Sequence, residues 1–221
     1  MAAMRLATNC SPDSLGQEPS GRHQALLPVQ PTRRRYPLLE FLRASPLLRS
    51  DIAFNSPGVP LSLCLRLHDA GGRAIHHAAV YIWHHDAHGW TFDPRDDEIG
   101  AVTFMRGVQI SDARGEVRFQ TIYPGRPGEG LVPVYLQVYF NDGQHVFARS
   151  DACLVLPECH IPQTGASLAA PATSGLGPFP SGSRRNARLL AVDHLRPDAD
   201  TGGVSVELQI GVALDATLAG H

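Results

Sequence analysis

The chain has 221 residues, 43% of them hydrophobic, with 19 basic and 21 acidic side chains and a formal net charge of -2. Every basic side chain is Arg; the absence of Lys excludes Schiff-base catalysis, a Walker A phosphate site and the kinase lysine. The near-neutral charge gives no electrostatic reason to expect nucleic acid or an anionic membrane as partner, and no window approaches the ~18 apolar residues of a membrane span.

Residues 1–35 are polar and rich in Pro, Ser and Arg, and are expected to form a flexible arm. Arg33, Arg34 and Arg35 read as a solvated stretch ahead of the fold. The start of the chain lacks the ~7–15-residue apolar region of a secretory signal, so a cytoplasmic location is expected. The apolar spacing of Pro37–Arg43 predicts one short helix, stopped by Pro46.

After Asp51 the period changes to two. Leu61, Leu63, Leu65 and Leu67 fall on one face of a strand, and Asp69-Ala70-Gly71-Gly72 turns the chain. Further strands are expected at Ala78–His84, Gly115–Thr121, Pro133–Phe140 and His145–Ala148, with Asn141-Asp142-Gly143 as a hairpin signal. Residues 161–185, low in charge and rich in small side chains, read as a long loop. Val204–Ile210 alternates again and closes the domain, expected over 36–215 with a tail at 216–221. Many short strands with turn signals indicate an all-β sandwich or barrel. Four scattered Cys (Cys10, Cys64, Cys153, Cys159) form no CxxC pair, so a zinc ribbon is not expected. Cys64 reads as a small core residue, and a Cys153–Cys159 disulfide is not favoured in a reducing compartment.

Several segments carry a more specific signal: Leu48–Ile52, Pro57–Leu61, Ala78–Gly89, Met105–Gln109, Ser111–Gly115, Thr121–Gly125 and Leu208–Val212. In order and spacing they resemble the intradiol ring-cleavage dioxygenases, over roughly residues 48–150 and 186–214. The fold this implies is an intradiol-dioxygenase-like β-sandwich with a short N-terminal helix and long loops. The resemblance also implies a ferric ion held by two Tyr and two His, donor types that suit Fe(III).

The positions matching those ligands hold other residues. Thr91 stands at the first Tyr and Pro127 at the second. Pro133 and Tyr135 stand at the two His, and Gly130 at the Arg that assists the substrate. No His lies between His88 and His145, so no shift of register restores the pair. The cluster His84, His85, Asp86 and His88 is read as hydrogen-bonded or surface groups at a strand end. His84 and His85 point to opposite faces there.

Period two places Val134, Leu136, Val138 and Phe140 toward the core, and Pro133, Tyr135, Gln137 and Tyr139 toward the face that the resemblance assigns to the active site. Gln144 matches a family Gln, and Arg126 and Glu129 supply charge in the altered loop. The expectation is a cavity lined by Trp90, Thr91, Gln137, Tyr139 and Glu129, with Tyr135, Gln144 and Arg126 as catalytic groups. The function expected is a cofactor-free cyclisation or isomerisation of a small oxygenated, polyketide-like substrate, by a protein for which a homodimer is allowed. Two alternatives stand beside it: an inactive binding or accessory subunit, and a dioxygenase with a relocated iron.

Overall fold

The computed structural model describes residues 26–43, 45–90, 103–125, 132–142, 144–157 and 187–214. They build two β-sheets packed face to face. The elements are β1 (Gln30–Tyr36), α1 (Leu38–Arg43), β2 (Pro60–Asp69), β3 (Ala79–His84), β4 (Arg106–Ile110), β5 (Glu116–Ile122), β6 (Val132–Asn141), β7 (Val146–Leu156), β8 (Arg188–Ala191), β9 (Arg196–Asp198) and β10 (Gly203–Val212). One sheet runs β1-β7-β6-β3-β4, with β8 also on β7; the other runs β5-β2-β10-β9.

The leucine alternation of β2 does what period two demands. Leu61, Leu63, Leu65 and Leu67 are at most 1% exposed and face the opposite sheet. Parallel β10 and antiparallel β5 flank β2 and add Val206, Ile210 and Phe119 to the same layer. Leu136, Val138 and Phe140 of β6 close it from the other side, as the alternation of that strand predicted. Burying each such side chain contributes about 1.5–3 kcal/mol. The expected short helix is α1, which sets Leu42 and Leu38 against Ala79 and Val108.

The turns share one chemistry. Asp69, Asp86 and Asp112 each accept backbone N–H groups two and four residues on, and a glycine three residues on (Gly72, Gly89, Gly115) takes positive φ. The short acidic side chain mimics a backbone turn, and glycine meets no Cβ penalty in the left-handed region.

One boundary differs from expectation. The arm expected over 1–35 is already part of the sandwich by Leu27, which is fully buried and bridges to Val212. Gln30–Tyr36 form β1, which pairs antiparallel with β7 at Gln30, Pro31 and Tyr36; the register shifts between Pro31 and Tyr36, the stretch that holds Arg33 to Arg35. The edge of β7 offers free backbone groups, and main-chain pairing needs no apolar side chains. The expected loop at 161–185 and tail at 216–221 lie outside the described residues. No helix among the described residues is long and apolar enough to cross a membrane.

Candidate functional site

The outward face of the six-stranded sheet positions the site. Strand register sets side chains in rows across β4, β3, β6 and β7. Arg106, Trp83, Tyr135 and Cys153 form one row; Val108, Tyr81, Gln137 and Asp151 form the next. Residues opposite each other across a ladder share a face, so the rows follow from pairing alone.

The first row is aromatic and buried. Trp83 and Tyr135 are each 6% exposed, with ring centroids 5.4 Å apart and planes 25° from parallel. Tyr81 also stacks on Trp83, at 5.0 Å. Burial pushes the Tyr81 phenol above its ordinary pKa, against the pull of the Arg106 cation. Cys153 beside Tyr135 is a free buried thiol, raised by burial to about 11 and so unreactive at neutral pH.

The second row is polar, and one of its buried atoms, Asp151 Oδ2, has no hydrogen-bond partner among the described residues. Gln137 Nε2 donates to Asp151 Oδ1 at 2.9 Å, and Gln137 Oε1 accepts from the Tyr139 hydroxyl at 2.9 Å. Arg149 lies 3.7 Å from the other Asp151 oxygen. Gln137 and Tyr139 are on the expected face, but these polar atoms are engaged with neighbours.

Where β3 ends, two adjacent histidines enter opposite environments. His84 turns inward: Nδ1 lies 2.6 Å from the His85 carbonyl and Nε2 lies 2.7 Å from the Thr121 hydroxyl on β5. A carbonyl only accepts, so Nδ1 carries the proton and Nε2 accepts from Thr121. Complete burial lowers its pKa to about 4. His85 turns outward, 2% exposed, its ring edge-on to Tyr135 at 6.3 Å. Neither of its ring nitrogens has a hydrogen-bond partner among the described residues. Burial lowers its pKa too, partly offset by Asp86. A buried unsatisfied donor or acceptor costs about 1–3 kcal/mol, and such groups are rare. The strand-end reading fits His84 as a hydrogen-bonded group; it does not fit His85, which is neither bonded nor on the surface.

Other expected site residues fall elsewhere. Gln144 is exposed in the β6–β7 hairpin, its N–H donating to Asp142 Oδ1. The ladder around that hairpin, with Asn141 opposite Val146, puts it about 20 Å along the strand from Tyr135. The expectation that Gln144 shares the pocket is therefore corrected. His145 is in the same turn. Trp90 is 44% exposed at the end of the 86–90 turn, edge-on to Phe104 at 5.6 Å. Thr91, Arg126 and Glu129 lie outside the described residues. A cavity of about 460 Å³ opens between the 69–78 turn and the β6–β7 hairpin, lined by His76, His77, Phe140 and Phe147 among others; it includes none of the expected site residues.

The residues present do not fit the ferric centre that the fold family implies. Pro133 has no side-chain donor, and Tyr135 is a single phenol packed on Trp83, with the His85 ring edge-on to it at 6.3 Å. Among the described residues no three His, Cys, Asp or Glu side chains converge as a metal site. Sequence reasoning missed His85 and Arg106 as members of this face. The alternation Tyr81, Trp83, His85 was the available signal for the first.

No protein-family model matches the sequence, and no curated protein matches it. Solved structures do. An intradiol ring-cleavage dioxygenase from Tetranychus urticae is 18% identical, over 80% of this chain and 90% of that one, with a TM-score of 0.53. The dioxygenase domain of a dioxygenase carbohydrate-binding protein fusion from Streptomyces sp. SirexAA-E is 19% identical, over 76% of this chain and 89% of that one, with a TM-score of 0.50. The chain has the intradiol-dioxygenase fold.

Proposed function

We propose that this chain is an enzyme that works without a metal on an intradiol-dioxygenase scaffold. Its reaction is a non-oxidative one, a cyclisation or isomerisation of a small oxygenated, polyketide-like molecule. The observation that carries the reading is Tyr135. Where the resemblance calls for an imidazole ligand, the chain holds a buried phenol stacked on Trp83, and Pro133 replaces the other imidazole. In this reading, ligand chemistry has been exchanged for an aromatic row that carries the Tyr135 hydroxyl.

Such a row holds a flexible substrate in a reactive conformer, which converts binding energy into rate. The Tyr135 hydroxyl supplies a hydrogen bond to charge developing on a substrate oxygen. Arg126 and Glu129, outside the described residues, keep their place in this proposal as charged groups; Gln144 does not.

Incubation with a panel of hydroxylated polyketide-type compounds, followed by mass spectrometry and an oxygen electrode, tests the reading. The expected product has the mass of its substrate or is one water lighter, with no oxygen uptake and no effect of chelators. Tyr135→Phe should lower kcat by about 10²-fold or more. Oxygen uptake with a ring-opened product overturns the proposal.

One observation favours a second reading, an inactive binding or accessory subunit: the Gln137 amide is engaged with Asp151 and Tyr139, which leaves few free catalytic groups on the face. That reading predicts tight ligand or subunit binding with no turnover.

A further inference from the structure

We infer that His85 is a ligand-contacting residue of this face, whose imidazole takes the O–H of a planar, hydroxyl- or enol-bearing molecule lying along the row Tyr81, Trp83 and Tyr135. The inference rests on the reading of this face as a small-molecule site, and not on the reaction proposed for it.

Its basis is a contrast between neighbours. His84 and His85 are equally buried, at 1% and 2% exposure. His84 has both ring nitrogens satisfied, by the His85 carbonyl and the Thr121 hydroxyl. His85 has neither satisfied among the described residues. A leucine would fill the same space beside Trp83 and Tyr135 without leaving a polar atom unmet, so packing gives no reason for an imidazole there. The neutral ring that burial favours carries one lone pair and one N–H. It therefore asks for a partner that donates, and a hydroxyl or enol does so.

The neighbours add the shape. Tyr81, Trp83 and Tyr135 stack in succession at 5.0 and 5.4 Å, within 26° of parallel. A planar ring extends such a stack at its end, which is the shape of ligand this row favours. His85 meets the Tyr135 ring edge-on at 6.3 Å, which puts its imidazole next to the stack. A planar ligand with a hydroxyl on its edge matches both features. The Cys153 thiol in the same row is a poor hydrogen-bond partner and does not compete.

Two probes that differ by one hydroxyl, 2-naphthol and naphthalene, test this by quenching of tryptophan fluorescence. The wild type should bind 2-naphthol about tenfold or more tighter than naphthalene, the discrimination expected of one buried hydrogen bond. In His85→Leu the preference should fall to near onefold, and His85→Gln, which can still accept, should keep part of it. The melting temperature of His85→Leu should be unchanged or higher, since no unmet polar atom remains; this shows that the fold survives. Undiminished preference in His85→Leu, or no preference in the wild type, overturns the inference and leaves the face as a ligand site. If neither probe binds, the reading of the face as a small-molecule site fails, and the inference with it.

Discussion

The Nε2 atom of His84 and the hydroxyl of Thr121 lie 2.7 Å apart, and this bond joins the two sheets across the end of the core. Both groups are buried, so each depends on the other for hydrogen bonding. Thr121→Val keeps the shape and removes the donor to a buried acceptor. It should cost about 1–3 kcal/mol, read as a lower urea midpoint with an unchanged m-value.

Stability should fall as pH drops from about 6.5 to about 4. The folded pKa of His84 is lowered to about 4 from an ordinary 6.5. The unfolded chain therefore takes up a proton in that window while the native state does not. The stabilisation is complete above 6.5 and shrinks below it, by about 3 kcal/mol from this one group. His85 shifts the same way. The carboxylates of Asp69, Asp112 and Asp198, held low mainly by hydrogen bonds, lose their contribution only at still lower pH, as it falls through their folded values. Chemical denaturation at a series of pH values measures the slope, and a His84→Gln variant should flatten it.

Gln137→Leu should destabilise the protein by about 2–4 kcal/mol. The change removes the hydrogen bond to buried Asp151 and the acceptor used by the Tyr139 hydroxyl. Among the described residues, what remains is a buried carboxylate with Arg149 at 3.7 Å. The double variant Gln137→Leu/Asp151→Leu should recover part of the loss, which a thermodynamic cycle would show.

Gly125→Ala should be far worse than Gly72→Ala. A methyl group at Gly125 would meet the Ala87 carbonyl and the Gly89 amide, backbone that cannot step aside, and would prise the 86–90 turn from the strand end beside His85. At Gly72 the space is open, and only the positive φ of 79° is paid for, about 1–2 kcal/mol. Thermal melts of the two variants give the comparison.

Gln144→Ala should leave stability within about 0.5 kcal/mol of wild type and leave ligand binding unchanged, since the side chain is exposed in the hairpin. A marked loss of binding would bring the residue back to the site.

The sequence by itself determined the sandwich. Period two in Leu61–Leu67 and in Val134–Phe140 fixes which side chains face inward, because alternate residues of a strand cannot do otherwise. Pro133 and Tyr135 state their chemistry without any coordinates. Only the tertiary structure decided the rest. β1 carries no apolar alternation, since it joins by main-chain bonds to β7, so its sequence reads as an arm. Gln144 looks like a pocket residue until the register of the β6–β7 ladder carries it to the far end. His85 looks like a surface group until the fold buries it edge-on to Tyr135. Periodicity tells which way a side chain points; what covers that face depends on strands distant in the chain, and their register is set by pairing that no local window contains.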